Sequence, residues 1–157
     1  MVTRRYYRLS HMNRLALFVR DLVARLPGGR RLNAELEKRV GLKVEFHVRT
    51  ADEWREVVDA NPFRAEAKKD PGRLLVSCFK GPLDKANVKA LEAAIAAISA
   101  PEILHADGRH LYMVFPDGVG NSKVNRIIDR KLAAHGTARN WNTVLKLSTF
   151  CGPPASK

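Results

Sequence analysis

The stretch EILHADGRHLYMVF, residues 102–115, decides the fold. Its centre, Asp107-Gly108, is a dipeptide favoured by two-residue primed turns, because glycine reaches positive φ without steric cost. Apolar and polar residues alternate on either side, as they do in half-buried strands. The stretch therefore predicts a β-hairpin. Closing it at Asp107-Gly108 sets His105 opposite His110, on one sheet face with Ile103 and Tyr112. Leu104, Leu111 and Met113 then occupy the other face.

Upstream, PLDKANVKALEAAIAAI (82–98) spaces Val88, Leu91, Ile95 and Ile98 as one helical stripe. Before it, RLLVSCF (73–79) is a continuous apolar run, the pattern of a central strand covered on both faces. TADEWREVVDANPF (50–63) predicts a helix capped by Thr50, with Glu53 three residues on completing a capping box. Trp54, Val57 and Val58 form its inward stripe, and Pro62 ends it. LKVEFHV (42–48) alternates Val44, Phe46 and Val48 with charged residues and reads as a strand. A helix is expected over about 31–40. Another over 13–26 places Leu15, Phe18, Val19, Leu22 and Leu26 on one face, packed on the domain or on a partner chain.

Downstream, NSKVNRIIDRKLA (121–133) turns Val124, Ile127, Ile128 and Leu132 inward, with Gly136 closing the helix. A last helix is expected from about 139 to 149. From residue 43 the order is β-α-β-α-β-β-α-α. That order predicts an α+β chain, a layered α/β sandwich with one mixed sheet of about four strands, preceded by one or two N-terminal helices. The expected organisation is a flexible basic arm (1–12), a single α/β domain (13–150) and a disordered tail (151–157).

The chain has 157 residues and a formal net charge of +12. The charge is uneven: residues 1–31 carry +7, residues 32–115 sum to zero, and residues 116–157 carry +5. Such basic ends attract polyanions at long range, which points to nucleic acid or a phosphorylated small molecule as partner. No apolar run approaches the roughly 20 residues of a membrane span, so no membrane partner is expected. The basic amphipathic N-terminus also has the character of a targeting presequence or a membrane-surface helix, but packing against the body explains the same pattern. Two cysteines, Cys78 in an apolar run and Cys151 near the tail, fit reduced thiols in a cytoplasmic protein.

No catalytic constellation stands out. His105 and His110 lack a third ligand at metal spacing, so no metal site is expected. Neither cysteine sits in a motif that would lower its pKa, and no serine lies in a nucleophile-elbow pattern. No carboxylate pair suggests acid–base work. No motif for a cofactor is present: PDGVGNSKVNR (116–126) lacks Walker A spacing.

That same loop is nonetheless a candidate anion site. Gly118, Gly120, Asn121, Ser122 and Lys123 lead from a strand into a helix, where free N–H groups, the helix dipole and a lysine attract an anion. A strand-to-helix connection with Asn121 or Ser122 as cap accounts for the same residues. GTARNWNTVLKL (136–147) supplies a second candidate. Trp141 and Leu145 share an apolar arc, so Trp141 is expected to be mainly structural, and Asn140 or Asn142 caps the helix. Arg139 opposes the helix dipole there unless something anionic compensates, which makes Arg139, Asn140 and Asn142 candidate ligand-binding residues. The two segments are expected to pack against each other.

ANPF (60–63), FPDGVGNSKV (115–124) and TARNWNTVLKL (137–147) together resemble an uncharacterised bacterial family, domain-of-unknown-function family 1697. The likeness runs from about Leu32 to Leu147, and Phe115, Pro116, Gly118, Gly120, Lys123, Arg139, Asn140, Trp141 and Asn142 match the family's pattern. It implies a cytosolic α/β protein with no established activity, cofactor or catalytic residues. Family members resemble one another in opening with a strand, a glycine-containing arginine loop, a helix and another strand. Residues 1–31 show none of these, which leaves room for a homodimer covering an exposed sheet edge. The expected function is a non-catalytic binding module for a phosphate-bearing ligand. The alternatives are an enzyme acting on a nucleotide or sugar phosphate, with His110, His135 or Asp117 as general base, and a truncated relative with no activity.

Overall fold

The computed structural model describes Lys38, His47, residues 49–132 and residues 136–151. The chain divides into two compact units, Met1–Val48 and Arg49–Lys157. In the first, Lys38 is helical and His47 has no regular structure. The expected arm 1–12, the helix 13–26, most of the helix 31–40 and of the strand 42–48, and tail residues 152–157 lie outside the described residues.

The second unit runs α1 (Ala51–Asp59), α2 (Arg64–Lys69), β1 (Leu74–Cys78), α3 (Lys85–Ala97), β2 (Ile103–Asp107), β3 (His110–Val114), a short 3-10 turn (Val119–Asn121), α4 (Val124–Leu132), β4 (Thr137–Asn140) and α5 (Trp141–Ser148). The sheet order is β2-β3-β1-β4, and each of these ladders is antiparallel. The described sheet is thus antiparallel where the sequence predicts a mixed one. β1 and β2 do run parallel, but β3 folds back into the space between them, so every adjacent described pair is antiparallel.

β1 is the central strand that its unbroken apolar run predicts, flanked by β3 and β4. Its residues alternate between two cores. Leu74, Val76 and Cys78 join Tyr112, Val114, Val57, Trp141 and Val144 on the face covered by α1 and α5. On the opposite face Leu75 packs with Leu111, Met113, Phe115, Leu91, Ile95, Val124 and Leu132 under α3 and α4. The sheet thus lies between two helical layers, the layered α/β sandwich expected from sequence.

Local chemistry fixes the helix ends. The Thr50 hydroxyl accepts from Glu53 N–H at 3.1 Å while the Glu53 carboxylate accepts from Thr50 N–H at 2.9 Å, the reciprocal cap its sequence predicts. Asp84 caps α3 and Asn140 caps α5. Ile98, expected inward, is 45% exposed, because it is already the C-cap residue where α3 turns away.

The hairpin forms with a different register. Gly108 and Arg109 occupy the turn, and Gly108 takes φ +53°, the glycine-first pattern of one primed turn. Asp107 therefore pairs with His110, and His105 with Tyr112. His105 and His110 share a face as expected but are not partners.

The other departure is β4. Residues 137–140, expected as the start of the last helix, instead pair with β1 from Cys78 to Leu75, and α5 begins at Trp141. α2, a six-residue helix that begins two residues after Pro62, has no buried residue and no apolar stripe to announce it.

Candidate functional site

The two segments proposed to bind an anion pack into different core layers. Val119 and Val124 belong to the core under α3 and α4, whereas Trp141 and Val144 belong to the core under α1 and α5. The sheet lies between them. After α4 the chain runs through β4 along the sheet, which places Trp141 in the core on the opposite face.

At the loop, Gly118 takes φ +89°, Ser122 accepts from Val124 N–H at 3.0 Å, and Asn125 donates to the Val119 carbonyl at 2.9 Å. Gly118, Ser122 and Lys123 line a cleft of about 210 Å³ with Ser99, and with the carboxylates Glu102 and Asp117. Gly120 is exposed, and Asn121 ends the 3-10 turn. Two carboxylates beside one lysine oppose an anion in that cleft.

In the other segment, Asn140 is consumed by capping: its side-chain oxygen accepts from the N–H and the hydroxyl of Thr143, at 3.0 and 2.8 Å. Asn142 is exposed, and Trp141 is buried at 6% exposure. Arg139 is exposed. Its Nη1 donates to its neighbour's carbonyl on Ala138 at 2.7 Å, and among the described residues no carboxylate pairs with it.

Arg139 has company that sequence reasoning did not find. The register sets Asp107, His110, Cys78 and Thr137 in one row across all four strands, with Arg139 one row behind, beside Val76. These side chains share the face covered by α1. Arg49, just before the Thr50 cap, reaches the same row: its Nη2 donates to the Phe79 carbonyl at 2.6 Å and its Nε to His110 Nε2 at 3.5 Å. Arg109, in the hairpin turn, donates to Glu53 at 2.5 Å, so the capping carboxylate of α1 also holds the turn. The Arg109 carbonyl in turn accepts from Phe79 N–H at 2.9 Å.

Electrostatics ties the group together. Burial lowers the Arg49 pKa, and the nearby Arg109 guanidinium lowers it further. Burial, then Arg49 and Arg109, lower the His110 pKa, so the imidazole stays neutral and its Nε2 accepts. The Thr50 N–H bond, followed by Arg109, holds the Glu53 carboxyl below its usual range against the opposing effect of burial. Burial pushes the Cys78 thiol up, while Arg49, Arg139 and Arg109 all pull it down. Three guanidiniums from three separate segments therefore lie on one sheet face, Arg49 and Arg109 at the end of β1 and Arg139 beside its middle residue, Val76.

Cys78 and His110 are cross-strand neighbours, which raises thiol catalysis as a possibility. No hydrogen bond joins them among the described residues, His110 Nε2 is engaged by Arg49, and the thiol is buried and protonated. Of the other groups considered as a general base, Asp117 lies in the cleft with Glu102, and His135 is outside the described residues.

The chain matches the family model described as "Protein of unknown function (DUF1697)" over residues 28–112, more than half its length, and belongs to that family. The matched segment includes ANPF and the hairpin turn and stops before the 115–124 and 137–147 motifs. No curated protein and no solved structure matches the chain. Among the described residues, no helix is long and apolar enough to cross a membrane.

Proposed function

We propose that the chain is a non-catalytic binding module for a phosphate-bearing ligand, nucleic acid or nucleotide, encountered in the cytoplasm. The observation that carries this reading is that Arg49 and Arg109 meet at the end of β1 and Arg139 follows one row along on the same sheet face. Like charges brought together are unfavourable alone, and a bound anion relieves their repulsion. Guanidinium forks match phosphate oxygens in geometry as well as charge. The formal charge of +12 adds long-range attraction, and two free cysteines suit a reducing compartment.

Fluorescence anisotropy with single- and double-stranded oligonucleotides, together with calorimetry against nucleotides, tests the reading. Affinity is expected to fall steeply as salt rises, because phosphate contacts release counterions. Arg139→Ala is expected to abolish or strongly weaken binding without unfolding the chain. Absence of binding to every probe at low salt overturns the proposal.

A further inference from the structure

We propose that the groove lined by the end of α1, by α2 and by the first turns of α5 binds a small apolar carboxylate, with its apolar body on Trp141 and Leu145 and its carboxylate on Asn61, Arg64 and Lys68. The groove encloses about 380 Å³, within the range of small-ligand sites. Arg49, Arg109 and Arg139 do not line it, so this site is separate from the arginine cluster and does not rest on the phosphate-binding reading.

The first argument is a pair of donors without acceptors. Asn61, from the ANPF stretch, is 4% exposed and lines the groove. Its Oδ1 accepts from Phe63 N–H at 2.9 Å, which identifies the other end of the amide as the nitrogen. That Nδ2 group donates to nothing among the described residues. Trp141, 6% exposed, lines the same groove, and its indole N–H also has no acceptor among the described residues. The indole of Trp54, by contrast, donates to the Val144 carbonyl at 3.1 Å. Polar groups of buried residues are nearly always hydrogen-bonded, so two open donors beside one cavity call for an acceptor inside it.

The second argument is charge. Arg64 and Lys68 stand one turn apart on α2, and both line the groove together with the carboxylate of Asp59. Among the described residues neither cation is paired with a carboxylate. Arg64 Nη2 donates to the Asp59 main-chain carbonyl at 3.1 Å, and the Val58 carbonyl accepts from Asn61 N–H at 3.4 Å. The two carbonyls at the end of α1 are therefore engaged and oppose an anion less. The lining holds two positive charges against one negative, a surplus that suits a monoanion. A carboxylate offers two acceptor oxygens for the Asn61 amide and the two cations.

The third argument is the apolar part of the lining. Leu145, one turn beyond Trp141 on α5, is 43% exposed, and Val58 and Ala67 join it. A bare inorganic anion leaves these side chains in water, and a neutral hydrocarbon leaves the Asn61 and Trp141 donors unmet. An aryl or alkyl group joined to a carboxylate satisfies both, because removing the apolar lining from water is favourable in itself.

The test uses the full-length chain at neutral pH and titrates it calorimetrically with 3-phenylpropionate, indole-3-propionate and octanoate, each beside its uncharged amide. At least one acid is expected to bind, about tenfold tighter than its amide, the scale of one charge-assisted contact. Arg64→Gln and Lys68→Gln should erase most of that preference, and Leu145→Ser should weaken acid and amide alike. Asn61→Asp keeps the acceptor for Phe63 N–H, removes the open donor and adds a repelling charge, so it should abolish acid binding. Circular dichroism checks that Asn61→Asp folds; Arg64, Lys68 and Leu145 are exposed, so their variants keep the test valid if it does not. Arg139→Gln should leave acid binding unchanged. Equal binding of acids and amides, or loss of acid binding in Arg139→Gln but not in Arg64→Gln, overturns the inference. So does the failure of all three acids to bind at millimolar concentration, and oligonucleotide binding would then leave the phosphate-binding reading standing. Acid binding without oligonucleotide or nucleotide binding supports this site and overturns that reading alone.

Discussion

The phenol of Tyr112 on β3 donates to the main-chain carbonyl of Val57 on α1 at 2.8 Å, and both residues are buried. This bond closes the layer of α1 onto the sheet at its least accessible point. Burial pushes the phenol's pKa upward, so it remains a donor throughout the ordinary pH range. Tyr112→Phe keeps the ring and removes the bond. It is expected to cost about 1 kcal/mol, the usual net worth of a buried hydrogen bond, read from urea denaturation midpoints. No change in midpoint would mean that the hydroxyl contributes nothing net to stability at this carbonyl.

Trp141 and Arg139, two residues apart, are expected to divide stability from binding. Trp141 packs in the same core as Tyr112 and Val57, and Trp141→Ala should cost about 3–5 kcal/mol, as large aromatic truncations in cores do. Arg139 is exposed and unpaired with any described carboxylate, so Arg139→Ala should change stability by at most about 1 kcal/mol. Thermal and urea unfolding of both variants, beside anisotropy titrations, checks the division. An unfolded Arg139→Ala with an unaffected Trp141→Ala would reverse the roles.

The glycines make a sharper test of backbone geometry. At Gly136 an added Cβ would sit 2.7 Å from the buried Phe79 ring, which has no room to retreat. Gly136→Ala is expected to cost about 1–3 kcal/mol through overpacking. Gly118→Ala combines a positive φ with collision against the Arg73 guanidinium, whose flexible end can move, so backbone strain of about 1–2 kcal/mol dominates there. Gly120 meets nothing within 4 Å, and Gly120→Ala should be close to neutral. Equal losses at all three positions would refute this ranking.

What the sequence revealed and what it hid follow from how local each signal is. The Thr50–Glu53 box, the Asp107-Gly108 region and the apolar run at 74–78 are short-range patterns, and each element appears where its pattern lies. β4 could not be read this way. TARN is four residues with three exposed, and only its pairing with β1 makes it a strand. The hairpin register was missed by the placement of the turn, because Gly108 and Arg109 rather than Asp107 and Gly108 occupy the central positions. Arg139 was singled out because a cation at a helix start needs an explanation. Arg49 and Arg109 look like ordinary charges in sequence and become a site only when residues about 60 apart are brought together by β1, β3 and the α1 cap.

The last prediction concerns pH. Burial, and then Arg49 and Arg109, depress the His110 pKa below its ordinary value of 6.5, against weaker opposition from Asp107 and Glu53. In the unfolded chain the imidazole returns to its ordinary value. Above that value both states hold it neutral and it adds no slope. As pH falls below 6.5 the unfolded chain takes up the proton first, so stability declines until the folded-state pKa is passed. His110→Gln retains an acceptor for Arg49 Nε and does not titrate. Urea midpoints measured from neutral pH downward should therefore fall more steeply in the wild type than in His110→Gln, the two curves separating below the ordinary histidine range. Saturating inorganic phosphate should shrink the separation, because an anion on the arginines favours the imidazolium and raises its folded-state pKa. Parallel curves for the two proteins would show that His110 is not confined among Arg49 and Arg109.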